Sequence, residues 1–501
     1  MISFRYSWFL FFATFAWLIL TSASCGSRGN GQETDRIRPW PGNPHYLAWG
    51  NTPVFLIGPT GYHGWTPISR PGEMDFHKQL HRLDKVIRDA GSMHVCGFVR
   101  CIPYDPMNHM HDGEVSEVLQ PWKRLDDGRY DLERFEEAWG KRLKVFLDLA
   151  HDLRIVVSIE VWDDWSVTRG VGGAWNAHPF NPRNIVNFDS TVLSATTSEC
   201  NAPFYSTIPA RKNIPEVLEL QKRYVDHLIS IISEYPNVLI NISNESRADL
   251  DWSRFWAGYI RKAVNGKIMI GEMPSTNRVD GGGECEYDFN PLTLSTDPSY
   301  DYVDIAQGVS GHEFGGDPFR QAIEGSRRIL GYRMAMDKSG TSRPFIVSKD
   351  YTRGPDGGTI VLWSRFAGGT ASARFHRPAG DHDPSVIDFQ HETALRLARF
   401  VAGVPFWQMY PLHDAVESLP EGAGANVLAE ADSHYVVQLI GGAEGKHLGL
   451  SLPNGTWSVT WSDPSTGETL VQYEVPADSG TVYLEIPGNL DHHIIQIVKV
   501  H

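Results

Sequence analysis

The sequence has few cysteines and lacks the short motifs of several enzyme classes. Only 5 of the 501 residues are cysteine, and no spacing among them resembles a zinc site. No Gly-x-Ser-x-Gly elbow or His-Glu-x-x-His helix occurs, and no glycine-rich phosphate loop follows the first apolar run. His109, His111 and Asp112 lie close together, but no third ligand is evident, and we interpret them as a surface loop. We therefore expect neither a metal nor a cofactor.

Positive charge is also scarce. Lys plus Arg number 45 against 60 Asp plus Glu, which gives a formal net charge of −15. Because such a surface repels phosphate backbones, nucleic acid is not an expected partner. Hydrophobic residues make up 41% of the chain and charged residues 21%, as in ordinary globular proteins. Many of the 16 Trp, 18 Tyr and 23 Phe must lie in cores, but tryptophan-rich loops also suit the faces of sugars.

The N-terminus has the pattern of an export signal. Arg5 precedes an almost purely apolar run, Trp8–Leu20, and four small residues follow it. This predicts a signal peptide over residues 1–24; a retained membrane anchor is the alternative. Cys25 follows directly and can be the acylated residue of a lipoprotein, although Ser22 stands where Leu is usual. We expect an exported protein, either periplasmic, an outer-membrane lipoprotein or secreted.

The remaining cysteines predict little cross-linking. Cys96 and Cys101 lie on one predicted strand at odd spacing, so their side chains face opposite ways. Cys200 and Cys285 lie in long loops and can pair. We expect free buried thiols and at most one disulfide.

Short apolar runs alternate with amphipathic stretches between residue 50 and about residue 400. The runs are continuous and rich in Val and Ile, which is typical of buried parallel strands. The stretches carry apolar residues at spacings of three and four, which is typical of helices. Together they predict a (β/α)8 TIM barrel over residues 40–405; a doubly wound open sheet is the alternative. The predicted strands are Val54–Ile57, Val95–Val99, Ile155–Ile159, Val238–Ile242, Ile268–Ile270, Val303–Ile305, Phe345–Val347 and Ser372–Phe375. The predicted helices are Phe76–Ala90, Leu132–Leu153, Ile214–Tyr235, Trp252–Val264, Phe319–Met336 and Thr393–Val401.

The pattern changes near residue 410. Short alternating strands divided by Gly, Pro and Asp turns predict a small antiparallel β-sandwich over residues 411–501. The predicted strands are Val427–Ala429, Tyr435–Ile440, His447–Leu452, Trp457–Trp461, Leu470–Val475, Thr481–Ile486 and His493–Val498.

The most informative pair is Asn244-Glu245, which ends the predicted fourth strand. At this end of a barrel strand, polar residues face the active side. The pair resembles the signature of the clan-A glycoside hydrolases. In that clan the Asn binds the sugar hydroxyl next to the anomeric carbon, and the Glu is the general acid/base. A Glu that merely caps the next helix is the alternative.

Glycoside hydrolysis requires a second carboxylate. The seventh strand offers Asp350, where the clan usually has Glu. Glu272, after the fifth strand, is the rival, and an ion pair of Asp350 with Lys349 or Arg353 is the structural alternative. Because consecutive residues of a strand face opposite sides, we expect Lys349 to point away from the site.

Further candidates follow the other strands, and a sugar site requires such a mixture of aromatic faces and hydrogen-bonding groups. We expect them to bind substrate because they cluster on one predicted face. They are His63, Trp65, Arg100, Asp163, Trp165, His312, Tyr351 and His376, together with Asn244 and Glu272.

Residues 40–500 resemble the apiosidase-like glycoside hydrolases, which combine a (β/α)8 barrel with a C-terminal sandwich of the collagen-binding type. The resemblance rests on Gly58–Trp65, Arg365–Gly369 and Trp461–Glu468. In such relatives strand seven usually supplies Glu and strand four often supplies Asp, whereas this chain has Asp350 and Glu245. The label of the sandwich does not imply collagen binding here.

The sequence and this resemblance predict an exported glycoside hydrolase acting on a plant or algal polysaccharide fragment. Glu245 would protonate the leaving oxygen, and Asp350 would attack or position the nucleophile. Two alternatives stay open. One is a lyase or dehydratase on uronic-acid sugars that uses His312, Tyr351 and Arg100. The other is a sugar-binding protein without catalysis.

Overall fold

The computed structural model describes residues 35–59, 76–104, 119–169, 174–275, 290–351, 355–376, 384–478, 480–488 and 490–500. The predicted signal peptide, Cys25, His63, Trp65 and Cys285 therefore lie outside the described residues, as does the side chain of His312. No helix of the described part is long and apolar enough to cross a membrane.

Strands and helices alternate over the first four fifths of the chain. The strands are β1 Ile37–Trp40, β2 Asn43–Trp49, β3 Thr52–Gly58, β4 Val95–Cys101, β5 Trp122–Arg124, β6 Tyr130–Phe135, β7 Ile155–Asp163, β8 Val238–Asn244, β9 Ile270–Glu272, β10 Tyr302–Asp304, β11 Phe345–Ile346 and β12 Ser372–Arg374. The helices are α1 Phe76–Ala90, α2 Glu137–Asp152, α3 Asp164–Thr168, α4 Pro215–Ile232, α5 Leu250–Ala263, α6 Pro291–Thr296, α7 Pro318–Ser339, α8 Pro355–Ala367 and α9 Pro384–Ala402.

Eight of these strands form a curled parallel sheet. β3, β4, β7, β8, β9, β10 and β11 are neighbours in that order, and β12 pairs with β3. A parallel bridge between Asp350 and Phe375 links the segments that follow β11 and β12. The carboxyl ends of the eight strands therefore lie at the same end of the sheet, which is where parallel α/β folds have their binding and active sites. This arrangement is in keeping with the predicted barrel.

Side chains alternate across the strands as the sequence pattern predicts. In β7, Ile155, Val157 and Ile159 belong to the main core cluster, which includes the buried faces of the helices. On the other face of the strand, Val156 packs in a second cluster with residues of other strands, and Glu160 is fully buried. The outer face is therefore apolar, and the inner face becomes polar toward the carboxyl end.

One predicted helix is partly wrong. The apolar spacing that begins at Leu132 predicted a helix up to Leu153, but Tyr130–Phe135 is a strand that pairs with Trp122–Arg124 as an antiparallel hairpin. The helix begins only at Glu137. The reason is that Leu132 packs into the core from a strand of this hairpin. Its backbone N–H donates to Asn187 Oδ1 at 2.8 Å instead of to a helical carbonyl group.

Nine antiparallel strands follow. They are β13 Tyr410–Pro411, β14 Val416–Ser418, β15 Gly424–Glu430, β16 His434–Ile440, β17 His447–Leu452, β18 Gly455–Ser462, β19 Thr469–Ala477, β20 Gly480–Glu485 and β21 His492–Val500. They form a six-stranded and a three-stranded sheet around a core that contains Trp457 and Trp461. Asn426 Nδ2 donates to Ala322 O of α7 at 3.2 Å, and Gln438 Nε2 donates to Ile360 O of α8 at 2.8 Å. The antiparallel sheets thus pack directly on two helices of the parallel sheet.

The cysteines follow the prediction. Cys96 and Cys101 are free and buried, and they lie in different core clusters on the two faces of β4. Cys200 is disulfide-bonded, and its partner lies outside the described residues.

Candidate functional site

Glu245 is the centre of a group of polar side chains at the carboxyl ends of the parallel strands. Its Oε1 atom accepts hydrogen bonds from Tyr351 Oη at 2.5 Å, from Gln307 Nε2 at 3.0 Å and from the Lys349 ammonium group. Among the described residues, no hydrogen bond reaches Oε2. The carboxylate is therefore fixed through one oxygen, while its side chain keeps 21% of its surface exposed.

The charge of Glu245 is set by these neighbours. Burial alone would raise the pKa of Glu245, but the Lys349 charge and the hydrogen bonds from Lys349 and Tyr351 lower it to about 2. Glu245 is thus a carboxylate at neutral pH. Burial and the charge of Glu245 raise the pKa of the Tyr351 hydroxyl well above its usual value, so Tyr351 stays a donor.

Asn244 is held in one amide orientation. Its Oδ1 accepts from Arg100 Nη2 at 2.7 Å and from Lys349 Nζ at 2.8 Å, and its Nδ2 donates to Asp163 Oδ1 at 2.7 Å. An amide nitrogen has two hydrogens. One hydrogen is used by Asp163, and the other has no partner among the described residues.

The backbone lets Asn244 and Glu245 act together. Consecutive side chains of a regular strand face opposite sides, yet both of these reach Lys349. Glu245 has a φ of 52°, in the left-handed region that disfavours residues with a Cβ. Such strain persists where the surrounding structure enforces it and is frequent at functional sites.

Arg100 and Glu160 form the base of this group. Arg100 Nε donates to Glu160 Oε1 at 2.8 Å, and both side chains are buried. The pair compensates its charges in a dry environment and holds Arg100 against Asn244. Nε and Nη2 of Arg100 are therefore held by Glu160 and Asn244, whereas Nη1 has no hydrogen-bond partner in the described part of the chain.

Asp163 is a second buried carboxyl beside Glu245. Burial is the main reason that its pKa is raised to about 7, and the negative charges of Glu245, Asp164 and Glu160 act in the same direction. The hydrogen bond from Asn244 opposes the shift. The Asp163 carboxyl therefore titrates near neutral pH.

The prediction that Lys349 points away from the site is wrong. Lys349 is buried and contacts Asn244 and Glu245. Because its neighbour then faces the opposite side, Asp350 lies against the helix layer. Arg365 of α8 donates to Asp350 Oδ1 from Nε at 3.0 Å and from Nη2 at 2.6 Å, and neither side chain has exposed surface. This geometry argues against Asp350 as the second carboxylate.

Glu272 also lies apart from the group around Glu245. Its Oε1 accepts from the backbone N–H groups of Ser243 and Met273, and its Oε2 accepts from Ser253 Oγ at 2.7 Å. Burial raises the pKa of Glu272 to about 8, so it is largely neutral at pH 7. Its contacts support the joint between β8, β9 and α5.

Of the remaining predicted residues, His376 and Trp165 lie in the described part of the chain. The ring of His376 lies 4.5 Å from that of Tyr351, so His376 borders the group. Trp165 is half-buried, and the Arg169 guanidinium lies 6.0 Å from its ring centre. Three predicted binding side chains lie outside the described residues: His63, Trp65 and His312.

No group of three or more His, Cys, Asp or Glu in the described part is placed to hold a metal ion.

Two important residues were missed in the sequence. Gln307 follows β10 by three residues, and its Nε2 donates both to Glu245 and to Tyr351 Oη. Its position after a strand end was a usable signal. No feature of the sequence indicated that Lys349 points toward the site. Strand β11 is only two residues long, and side chains do not alternate regularly between the two faces in the four residues that follow it.

We expect Asp350→Asn to destabilise the protein. Removing one partner of a buried ion pair leaves Arg365 uncompensated, at a cost of about 3 kcal/mol or more in the free energy of unfolding. Chemical denaturation measures this change, with Asp152→Asn, an exposed carboxylate, as the matched control. Wild-type stability in the Asp350 variant would contradict the structural role.

Glu272→Gln should alter the pH dependence of stability. The pKa of Glu272 in the folded protein, about 8, lies above the ordinary value of 4.5. The contribution of Glu272 to the free energy of unfolding is therefore fully present below about pH 4.5 and is lost as pH rises through 8. Gln does not titrate, can accept from both backbone N–H groups and can donate to Ser253. The variant should therefore melt above the wild type at pH 9. Melting curves from pH 5 to 9 test this, and parallel curves for both proteins would refute it.

Comparisons with known proteins support the fold. No family model matches the sequence, and no curated protein matches it. A solved glycoside hydrolase has 12% identity and a TM-score of 0.59, with 93% of this chain and 97% of the other covered. A glycoside hydrolase family 5 structure from Bacteroides vulgatus has 11% identity and a TM-score of 0.57, with 93% and 94% covered. At these identities the likeness establishes the shared fold alone, and the apiosidase-like resemblance stays a prediction.

Proposed function

We propose that the protein is a glycoside hydrolase in which Glu245 is the reactive carboxylate. One observation carries the proposal: three donors fix Oε1 of Glu245 at the carboxyl ends of the parallel strands, and Oε2 is left for a ligand. The likeness of the fold to solved glycoside hydrolases supports it. Asn244 supplies the remaining amide hydrogen to a sugar hydroxyl.

In this proposal Glu245 acts as an anion rather than as the acid that the clan pattern implies. A general acid requires a proton near neutral pH, and a pKa of about 2 excludes this in the resting site. The ionised Glu245 attacks the anomeric carbon or activates a water molecule. The anomer of the first-formed product distinguishes these two routes.

Asp163 is the proposed general acid. Two carboxyls whose surroundings separate their pKa values are a usual acid and base pair, and here the values are about 7 and about 2. Asn244 bridges Asp163 to the same ammonium group that holds Glu245. Asp304 is the rival acid, since burial raises its pKa to about 6, but its hydrogen bonds come from the backbone of Ala306 and Ser348.

The finer features of the proposal come from the sequence. We propose a (β/α)8 barrel with a C-terminal sandwich, a signal peptide over residues 1–24 and export with or without a lipid on Cys25. The substrate class is a plant or algal polysaccharide fragment.

A second candidate is a sugar-binding protein that has lost catalysis. It is favoured by Lys349, which pairs with Glu245, and by Asp350, the predicted strand-seven carboxylate, which faces Arg365 instead of the site. Binding of sugars without turnover across a panel of glycosides would select this candidate.

Glu245→Gln is expected to reduce turnover by at least about a hundredfold. The change keeps the shape of the side chain but removes the charge that attacks or activates water. Initial rates on aryl glycosides and on polysaccharide fragments provide the measurement. Glu324→Gln, an exposed residue of α7 paired with Arg320, is the matched control and should behave as the wild type. Activity of the Glu245 variant within tenfold of the control would exclude the proposed role.

Asp163→Asn should affect substrates according to their leaving groups. We expect a loss of about a hundredfold or more with a poor leaving group and a small loss with a good one, because only the former requires protonation. With the poor leaving group, wild-type kcat should fall as pH rises through about 7, and the variant should lack this decline. A loss of equal size on both substrates would contradict acid catalysis by Asp163, and the same pattern in Asp304→Asn would transfer the role.

A further inference from the structure

A cavity lies beside the group around Glu245. Its volume is about 610 Å³, which is within the usual range for small-ligand sites. Its walls come from the long segment between β7 and α4 and from the turn after β8. Its polar lining includes Tyr205, Arg211, Lys212, Arg247 and Asp249. We call it the basic cleft.

Two consecutive aspartates connect the basic cleft to the candidate site. Asp163 faces Asn244, whereas Asp164 accepts from Tyr205 Oη at 2.5 Å and from Arg247 Nη1 at 3.0 Å. Tyr205 and Arg247 both line the cleft. Residues 163–164 therefore lie between the candidate site and the cleft.

Three cationic side chains and one carboxylate line the cleft, and two carboxylates outside the lining, Glu199 and Asp251, also pair with its arginines. Arg247 is paired with Asp164, and Arg211 is paired with Asp249 at 2.8 Å, so both guanidinium groups are held in place. Lys212 is exposed, and its ammonium group has no hydrogen bond or ion pair within the described part of the chain. Its backbone is fixed, because Lys212 N–H donates to Ser206 O at 2.9 Å and Asn213 N–H donates to Ile208 O at 3.1 Å.

We infer that the basic cleft binds an acidic residue of the glycan, through a carboxylate or a sulfate group. Lys212 supplies an ammonium group that pairs with no carboxylate in the described part of the chain, and the oriented arginines supply N–H donors suited to planar or tetrahedral oxyanions. A chain with a net charge of −15 repels an acidic polymer at long range, so such a polymer requires a local cationic subsite. This inference rests on the proposed function, since it treats the cleft as an extension of the sugar site.

Binding to the Glu245→Gln protein tests the inference without turnover. Isothermal titration calorimetry compares three probes of equal length: oligogalacturonates, sulfated galactan oligosaccharides and neutral manno-oligosaccharides. We expect at least one acidic probe to bind more tightly than the neutral one. Lys212→Gln in the same background should weaken that binding roughly fivefold and flatten its dependence on salt. Lys222→Gln, a lysine of α4 that pairs with Glu219, is the matched control.

The two acidic probes distinguish carboxylate from sulfate. Equal affinity for acidic and neutral probes, or an unchanged affinity in the Lys212 variant, would overturn the inference. The proposed hydrolysis is judged separately from wild-type rates, so turnover without an acidic preference refutes the cleft alone. Acidic binding without wild-type turnover refutes the hydrolase and keeps the cleft.

Discussion

The ion pair between Lys349 and Glu245 determines the chemistry of the candidate site. A buried ammonium group is costly unless a charge or several acceptors compensate it. Lys349 is compensated by Glu245 and by the amide oxygen of Asn244. The same pair keeps Glu245 ionised, whereas Asp350, the carboxylate predicted on strand seven, faces Arg365. In the proposed reaction the proton therefore comes from a carboxyl on another strand.

Charge balance explains why Asp163 can be that donor. Within the hydrogen-bonded group, Arg100 and Lys349 are two cations, and Glu160 and Glu245 are two anions. A further negative charge on Asp163 would lack a cationic partner in this group, since its side-chain contact is the neutral Asn244. The raised pKa of Asp163 follows from burial and from this arrangement. Converting Lys349 to a neutral residue would remove the basis for both assignments at once.

Much of the fold could be predicted from the sequence, because buried parallel strands are continuous runs of Val and Ile. The runs at Ile155–Ile159 and Val238–Ile242 lie within β7 and β8 as predicted, and the Asn244-Glu245 pair lies at the expected strand end. The error at Lys349 and Asp350 has a physical cause. Which of two consecutive residues faces the site depends on Arg365, which reaches Asp350 from α8. A contact between distant elements leaves no trace in a local pattern, and the same holds for the basic cleft.

The link between the site and the basic cleft is a property of adjacent residues at one strand end. The side chain of Asp163 contacts Asn244 in the site, and that of Asp164 contacts Arg247 in the cleft. The backbone of these two residues therefore sets the geometry of both the site and the cleft. Arg247, two residues after Glu245, is fixed by Asp164 before any ligand binds. Because its rotamer entropy is already lost in the free protein, an acidic group in the cleft would bind without that cost. An occupied cleft would in turn stabilise the strand end that positions Asp163, so binding remote from the reacting bond would support the geometry at that bond.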